Sequence, residues 1–263
     1  MNASIRLGIV GGAGWLGGAI VGAALAAGVV RAENLTLSYR RAKPPRFPGA
    51  FWTDDNQALA DRCDVILLSV RPEDWPSLAV DAKGKLVVSV MAGIRLADIA
   101  GKHATSRVVR SLPNAAAEVA RSYTPWIASG GTSEADRAVV RAIFDACGIQ
   151  DEVGSERDID YLTGLAGSGP AFPALLAEAM RRDAVAFGLS PDVAQRAVNT
   201  LLAGTGRLLE LRDASPADTV EAFLDYRGTT AAAIETMREA GFDEAVAKGL
   251  AAAFRKSIAM GKA

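Results

Sequence analysis

Ile9-Val10-Gly11-Gly12-Ala13-Gly14-Trp15-Leu16-Gly17-Gly18 is the stretch that decides the fold. The apolar residues 4–10 read as a short strand, and the alanine-rich run to about Ala27 as a helix stopped by Gly28. Between them, Gly12, Gly14 and Gly17 fit G-x-G-x-x-G. In that pattern the first glycine permits the tight turn, the second lets the backbone approach a pyrophosphate, and the third lets helix pack on strand. The diphosphate sits on free N–H groups at the helix start, where the dipole favours negative charge. Gly12, Ala13, Gly14, Trp15, Leu16 and Gly17 are therefore expected around a dinucleotide. Trp15 either covers the cofactor or packs at the loop edge.

Working outward, residues 35–39 read as a second strand, ending Ser38-Tyr39-Arg40-Arg41. An NAD site carries Asp or Glu there to accept from the ribose hydroxyls. This chain has two guanidiniums instead, and Arg pairs with phosphate in a bidentate way. Arg40 and Arg41 thus point to NADP(H), with a solvated basic corner as the alternative. Residues 43–49 hold three prolines and read as a loop, and 55–62 as a helix. The apolar runs 64–70 and 86–91 look like parallel strands covered on both faces. Residues 108–109 and 124–127 are weaker strands, and 133–146 an amphipathic helix. Strands alternating with helices imply a doubly wound, Rossmann-type parallel sheet of the α/β class. Beyond residue 157 only helical stretches follow. The expected division is a dinucleotide-binding domain over 1–153 and an all-helical domain over 154–263, apolar enough to bury surface against a second copy.

Composition narrows the function. The 263 residues are half hydrophobic, and 29 basic against 30 acidic residues leave a net charge of -1. No basic footprint for nucleic acid and no polybasic membrane anchor is expected. The apolar segment 9–30 has glycines at turn spacing, so it reads as strand, turn and buried helix rather than a membrane span or signal peptide. Cys63 and Cys147 are far apart and lack metal-ligand spacing, so neither a metal site nor a disulfide framework is expected, and the cytoplasm is the natural compartment. His103, the single histidine, falls in a polar stretch and is expected at the surface.

Further stretches carry more specific information. They are residues 64–72 (Asp-Val-Ile-Leu-Leu-Ser-Val-Arg-Pro), 88–94 (Val-Ser-Val-Met-Ala-Gly-Ile) and Arg110-Ser111-Leu112-Pro113-Asn114. The second half adds Leu165-Ala166-Gly167-Ser168-Gly169-Pro170-Ala171-Phe172, Gly228-Thr229-Thr230 and Gly241-Phe242. In order and spacing, over nearly the whole chain, the sequence resembles the pyrroline-5-carboxylate reductases. The resemblance implies a Rossmann domain followed by a helical dimerisation domain, forming a homodimer or higher oligomer. Its active site would lie where the domains meet, completed by the partner subunit. It also implies transfer of a hydride from NADPH to the C=N carbon of a small cyclic imine. By position, Asn56, Ser69, Val70, Arg71, Pro72, Ala92 and Asn114 would line the cofactor, with Thr163 near the nicotinamide carboxamide. Ser168 would reach the substrate; read from its residues alone, it is an N-cap for a helix over 171–187 with Pro170 in the first turn.

The substrate loop departs from the family. Where that loop reads Ser-Pro-Gly-Gly, then Thr or Ala, then Thr, this chain has Asp225-Tyr226-Arg227-Gly228-Thr229-Thr230. In the family the loop presents N–H groups and hydroxyls to the substrate carboxylate. Asp225 would repel that carboxylate unless paired or turned away, whereas Arg227 would bind it. Either Tyr226 or Thr230 would supply the imine proton. Ala115-Ala116 replaces the usual Thr-Pro after Asn114, and Ala166 a usual Ser. Cofactor features are thus better kept than substrate features, which leaves a related imine, or an NADP-binding sensor of low activity, as alternatives. A β-hydroxyacid dehydrogenase shares the two-domain plan but needs a helix lysine after the Gly-Ser-Gly entry, and residues 171–182 contain none. Ser215 and Asp213 are expected to cap the following helix, and 197–211 to form dimer core.

Overall fold

The computed structural model describes residues 5–211 and 214–260. It divides into two compact units, one made of the described residues up to Ser168 together with those from Ala252 onward, the other of Gly169–Ala251. The first unit is built on eight strands: β1 (Leu7–Val10), β2 (Leu35–Ser38), β3 (Phe51–Thr53), β4 (Val65–Leu68), β5 (Leu86–Ser89), β6 (Val108–Ser111), β7 (Ser122–Ala128) and β8 (Gly148–Glu152). Their order is β3-β2-β1-β4-β5-β6-β7-β8, and every pair is parallel except β6 with β7. The doubly wound α/β sheet is as expected. Chain direction across the sheet reverses between β1 and β4, and their carboxyl ends open the crevice where such sheets bind ligands.

Strand residues alternate between the two faces, and both faces are buried. Leu7, Ile9, Leu35, Leu37, Val65 and Leu67 pack with Ile20 and Val21 of α1 (Trp15–Ala26) and with Val140, Ile143 and Phe144 of α4 (Glu134–Cys147). Val10, Ile66, Leu68 and Val87 pack on the other side with Leu59 of α2 (Asn56–Arg62) and Ile99 of α3 (Leu96–Lys102). Cys63 and Cys147 are free thiols in these two layers. Two strands escaped sequence reading. β3 has only three residues, and β8 is a polar edge strand, Gly-Ile-Gln-Asp-Glu, with no hydrophobic alternation to betray it.

His103 is a correction: it is buried, not a surface residue. Its Nδ1 lies 2.9 Å from the Val80 carbonyl, and its Nε2 accepts from Trp75 Nε1 at 3.3 Å, so one neutral tautomer satisfies both. Burial pushes the imidazole below its ordinary value of 6.5, outweighing the Val80 carbonyl, which raises it. The unfolded chain therefore takes up a proton that the folded chain refuses. Stability is complete above the unfolded value and falls as pH drops through it toward the lowered folded value. His103→Gln should flatten this acid limb in thermal melts taken across that window; a variant with the wild-type acid limb would remove His103 as its source.

The described residues beyond 157 carry helices joined by short turns and no strand, as expected. α5 (Glu156–Leu162) belongs to the first unit. The second unit holds α6 (Ala171–Ala186), α7 (Pro191–Leu211), α8 (Pro216–Asp225), α9 (Thr229–Glu239) and the first part of α10 (Phe242–Met260). Within it α6 packs on α7 and α8 on α9. Ser215 caps α8 through a reciprocal box with Asp218; Asp213 lies outside the described residues. Among the described residues no helix is long and apolar enough to cross a membrane.

Candidate active site and cofactor cradle

The turn after β1 is built around Gly11, which the hexapeptide reading passed over. Gly11 has φ +82°, and a Cβ there would lie 2.3 Å from the Ser69 carbonyl oxygen at the end of β4. The tight-turn role assigned to Gly12 therefore belongs to Gly11, while Gly12 lies against Leu37. The Gly14 N–H donates to the Gly11 carbonyl at 2.8 Å, and a Cβ on Gly17 would come within 2.6 Å of that oxygen. Ser38 binds the turn from β2: its Oγ accepts from the Gly11 N–H at 3.0 Å and its carbonyl from the Ala13 N–H at 3.2 Å. Trp15 opens α1, half-exposed, and donates to Glu118, so it packs at the loop edge.

A cavity of about 650 Å³ opens at this switch point, within the range of cofactor sites. Ala13 and Gly14 line it, with Arg40 and Arg41 from the end of β2. Asn56, Ser69, Val70 and Arg71 complete the expected residues on its wall. Pro72 begins the short 3-10 turn Pro72–Ser77 beside it, while Leu16 packs toward the core. The wall also carries Asp54 and Asp74, which sequence reading missed because they lie outside the motif. Asp74 pairs with Arg40 at 3.0 Å, and Arg41 makes no ion pair among the described residues. A turn that backbone contacts close to any Cβ, with an uncommitted guanidinium at the β2 end, fits a dinucleotide carrying a 2′-phosphate.

Deeper along the strand ends, Ala92 follows β5 and Asn114 follows β6. The Asn114 Oδ1 accepts from the Ala116 N–H and its Nδ2 donates to the Ala166 carbonyl, both at 2.9 Å. Ala166 belongs to a π-turn, Thr163–Gly167, that continues α5. The widened i→i+5 turn is uncommon and tends to mark functional sites. The Thr163 hydroxyl donates to the Ile159 carbonyl at 2.8 Å. Ser168 is not an N-cap for α6, a second correction. Pro170 occupies the cap position without a side-chain bond, and the Ser168 hydroxyl donates back to the Thr163 carbonyl at 3.3 Å.

Residues 225–230 lie in the second unit. α8 ends at Asp225, Tyr226 follows with its side chain exposed, and Gly228 is the N-cap from which Thr229 and Thr230 begin α9. Arg227 has φ +52°, a left-handed conformation that suits glycine. Arg227, which has a side chain, holds this shape at a cost. Neither Asp225 nor Arg227 makes an ion pair among the described residues.

The fold and this cradle define a two-unit, Rossmann-type dinucleotide-binding protein. Two family profiles match the chain: "NADP oxidoreductase coenzyme F420-dependent" over residues 6–93 and "Pyrroline-5-carboxylate reductase dimerisation" over 156–260. The pyrroline-5-carboxylate reductase of Synechocystis is 33% identical, covering 98% of this chain and 99% of the relative. That of Thermus thermophilus is 32% identical over the same shares. Among solved structures, Plasmodium falciparum pyrroline carboxylate reductase with NADP bound superposes with a TM-score of 0.86 at 26% identity, covering 98% of this chain and 99% of that one. The Coxiella burnetii enzyme, at 24% identity and a TM-score of 0.90, covers 99% and 100% and supports the fold. The chain belongs to the pyrroline-5-carboxylate reductase family.

Proposed function

We propose that this chain reduces 1-pyrroline-5-carboxylate, or a closely related cyclic imino acid, with NADPH; with the former the product is L-proline. It is an NADP-dependent oxidoreductase acting on a C=N bond. The observation that carries this is similarity to the Synechocystis reductase along nearly the whole of both chains, at 33% identity, and the Arg40–Arg41 wall of the cradle supports the choice of NADPH over NADH.

When bound, the reduced nicotinamide supplies the hydride. The chain's own residues bind, orient and protonate. Gly11 to Gly17 would hold the diphosphate, and Asn56, Ser69, Val70, Arg71 and Pro72 would flank the remaining cofactor. Asn114 and Thr163, with Ala92, would frame the nicotinamide end. The imine nitrogen is basic enough to arrive protonated, so Tyr226 or Thr230 need only orient it or replace its proton. Ser168, Gly228 and Thr229 would contact the substrate, and Arg227 would pair with its carboxylate, which Asp225 repels unless it is paired or turned away.

Residues 154–263 form the dimerisation and substrate domain of a homodimer. In this single chain α6 carries Phe172, Leu175 and Met180 yet has no buried residue, as an interface helix would. A cytoplasmic location belongs to the same reading, with two free buried thiols to support it.

Purified protein given NADPH and a panel of cyclic imino acids, differing in ring size and carboxylate position, tests the assignment. Loss of NADPH absorbance with pyrroline-5-carboxylate is expected; no turnover on any imine would sink it. Arg227→Ala should raise KM for a carboxylated substrate about tenfold with kcat little changed, the signature of a lost charge-assisted contact. An unchanged KM removes Arg227 from the site.

A further inference from the structure

We propose that Arg46 is a positioning residue for the phosphate cradle, holding the glycine turn from outside and strengthening the binding of NADPH and NADH alike. The proposal rests on the dinucleotide reading above but concerns a residue outside the cavity wall and outside the glycine motif.

Arg46 sits in the proline-rich loop between β2 and β3. Its Nη2 donates to the Ala13 carbonyl at 3.1 Å. Its guanidinium lies against α1 so closely that a Cβ on Gly18 would be 2.9 Å from Nη2 and 3.0 Å from Nη1. The side chain is held from behind. Its Cζ is 5.5 Å from the centroid of the Phe47 ring, and that ring stacks on Trp52 at 6.5 Å with 13° between planes. Phe47 takes φ +56° to reach this place. A bulky residue in the left-handed region is a strained one, kept where its surroundings over-determine it.

The consequence is a relay of hydrogen bonds through the turn. Arg46 donates to the Ala13 carbonyl, the next N–H, that of Gly14, donates to the Gly11 carbonyl, and Gly14 and Gly17 both pack on that oxygen. Successive bonds of this kind polarise and stiffen one another. The Ala13 N–H, in the preceding peptide, donates to the Ser38 carbonyl, so Ala13 is held at both its N–H and its carbonyl. A cation beside the first turn of a helix opposes the helix dipole when alone and is compensated when an anion arrives. The diphosphate, common to NADPH and NADH, is that anion. Arg40 and Arg41, at the end of β2, discriminate by the 2′-phosphate; Arg46 does not.

Titration of the apo-protein with NADPH and with NADH, followed by nicotinamide fluorescence, tests this. Arg46→Ala should raise Kd for both by a similar factor, about tenfold for a lost charge-assisted contact, with Tm nearly unchanged. Arg46→Lys should recover part of the loss, and it is the variant to read if the alanine form does not fold. Gly18→Ala keeps the guanidinium but pushes it off the turn; because a flexible side chain gives way, the fold should tolerate it while both Kd values rise. Gly18→Ala combined with Arg46→Ala should be no worse than Arg46→Ala alone. Loss confined to NADPH would overturn the proposal in favour of direct 2′-phosphate contact. Unchanged Kd values for the Arg46 variants would overturn it as well. Wild-type protein that binds neither dinucleotide would instead refute the cofactor reading, before any variant is compared.

Discussion

Replacing Gly11 with alanine is expected to abolish dinucleotide binding and to cost the fold about 3 kcal/mol or more. Two penalties coincide. At φ +82° any L side chain is strained, and the new Cβ would stand 2.3 Å from the Ser69 carbonyl oxygen and 3.0 Å from its carbon. Both are backbone atoms at the end of β4, whose N–H at Ser69 is held by the Val10 carbonyl at 2.9 Å. Nothing flexible is available to move, so β1 and β4 must part where the cofactor crevice begins. Gly22 makes the matching control. It lies inside α1 with open space around its Cβ position, and Gly22→Ala should be neutral or stabilise by up to about 1 kcal/mol through helix propensity. Chemical denaturation and fluorescence titration of the two variants check this; a Gly11→Ala protein that melts and binds like wild type would dismiss the turn as described.

Arg110→Met should destabilise the first unit by about 3–5 kcal/mol, toward the lower end. Arg110 stands on β6 with its side chain fully buried, pairing with Asp160 at 2.6 Å and Glu156 at 3.1 Å on α5. Its Nε has no partner among the described residues, so the pair is imperfectly compensated. Removing the guanidinium strands the buried Asp160 carboxylate, which among the described residues then keeps only Arg95 at 3.1 Å and a long bond from Ser257 at 3.5 Å. Arg110→Met with Asp160→Leu should regain much of the loss, since the fully buried carboxylate is gone and Glu156, which is partly exposed, still accepts from the Leu96 N–H at 3.1 Å. A second effect concerns the site. α5 leads directly into the π-turn whose Ala166 carbonyl receives Asn114, so loosening α5 should lower kcat more than the folded fraction alone explains. Urea unfolding and steady-state rates on the two variants measure both; a single variant within about 1 kcal/mol of wild type would contradict this account of the network.

How much of this was legible differs by element. β1, β4 and β5 announced themselves because a strand covered on both faces is apolar along nearly its whole length, and residues 65–68 and 86–88 are. β3 and β8 did not, because edge strands carry one buried face at most and need no such run. His103 was misplaced for a related reason: its neighbours in sequence are polar, and only the tertiary approach of Trp75 and Val80 satisfies its two nitrogens. Arg110 was visible as a letter in a motif, but its carboxylate partners are 46 and 50 residues away.

The glycine cradle shows where the division falls. By itself the sequence determined that a strand, a glycine turn and a helix follow one another with two arginines one strand later, since local spacing and residue type are enough for that. Only the tertiary structure decided that Gly11 rather than Gly12 takes the left-handed turn. That choice depends on how near β4 brings the Ser69 carbonyl. Likewise it decided that Asp74 engages Arg40, leaving Arg41 uncommitted, and that Arg46 reaches back to Ala13. Backbone periodicity is written in neighbouring residues, whereas a carbonyl's approach or a guanidinium's partner is set by elements that meet only after folding.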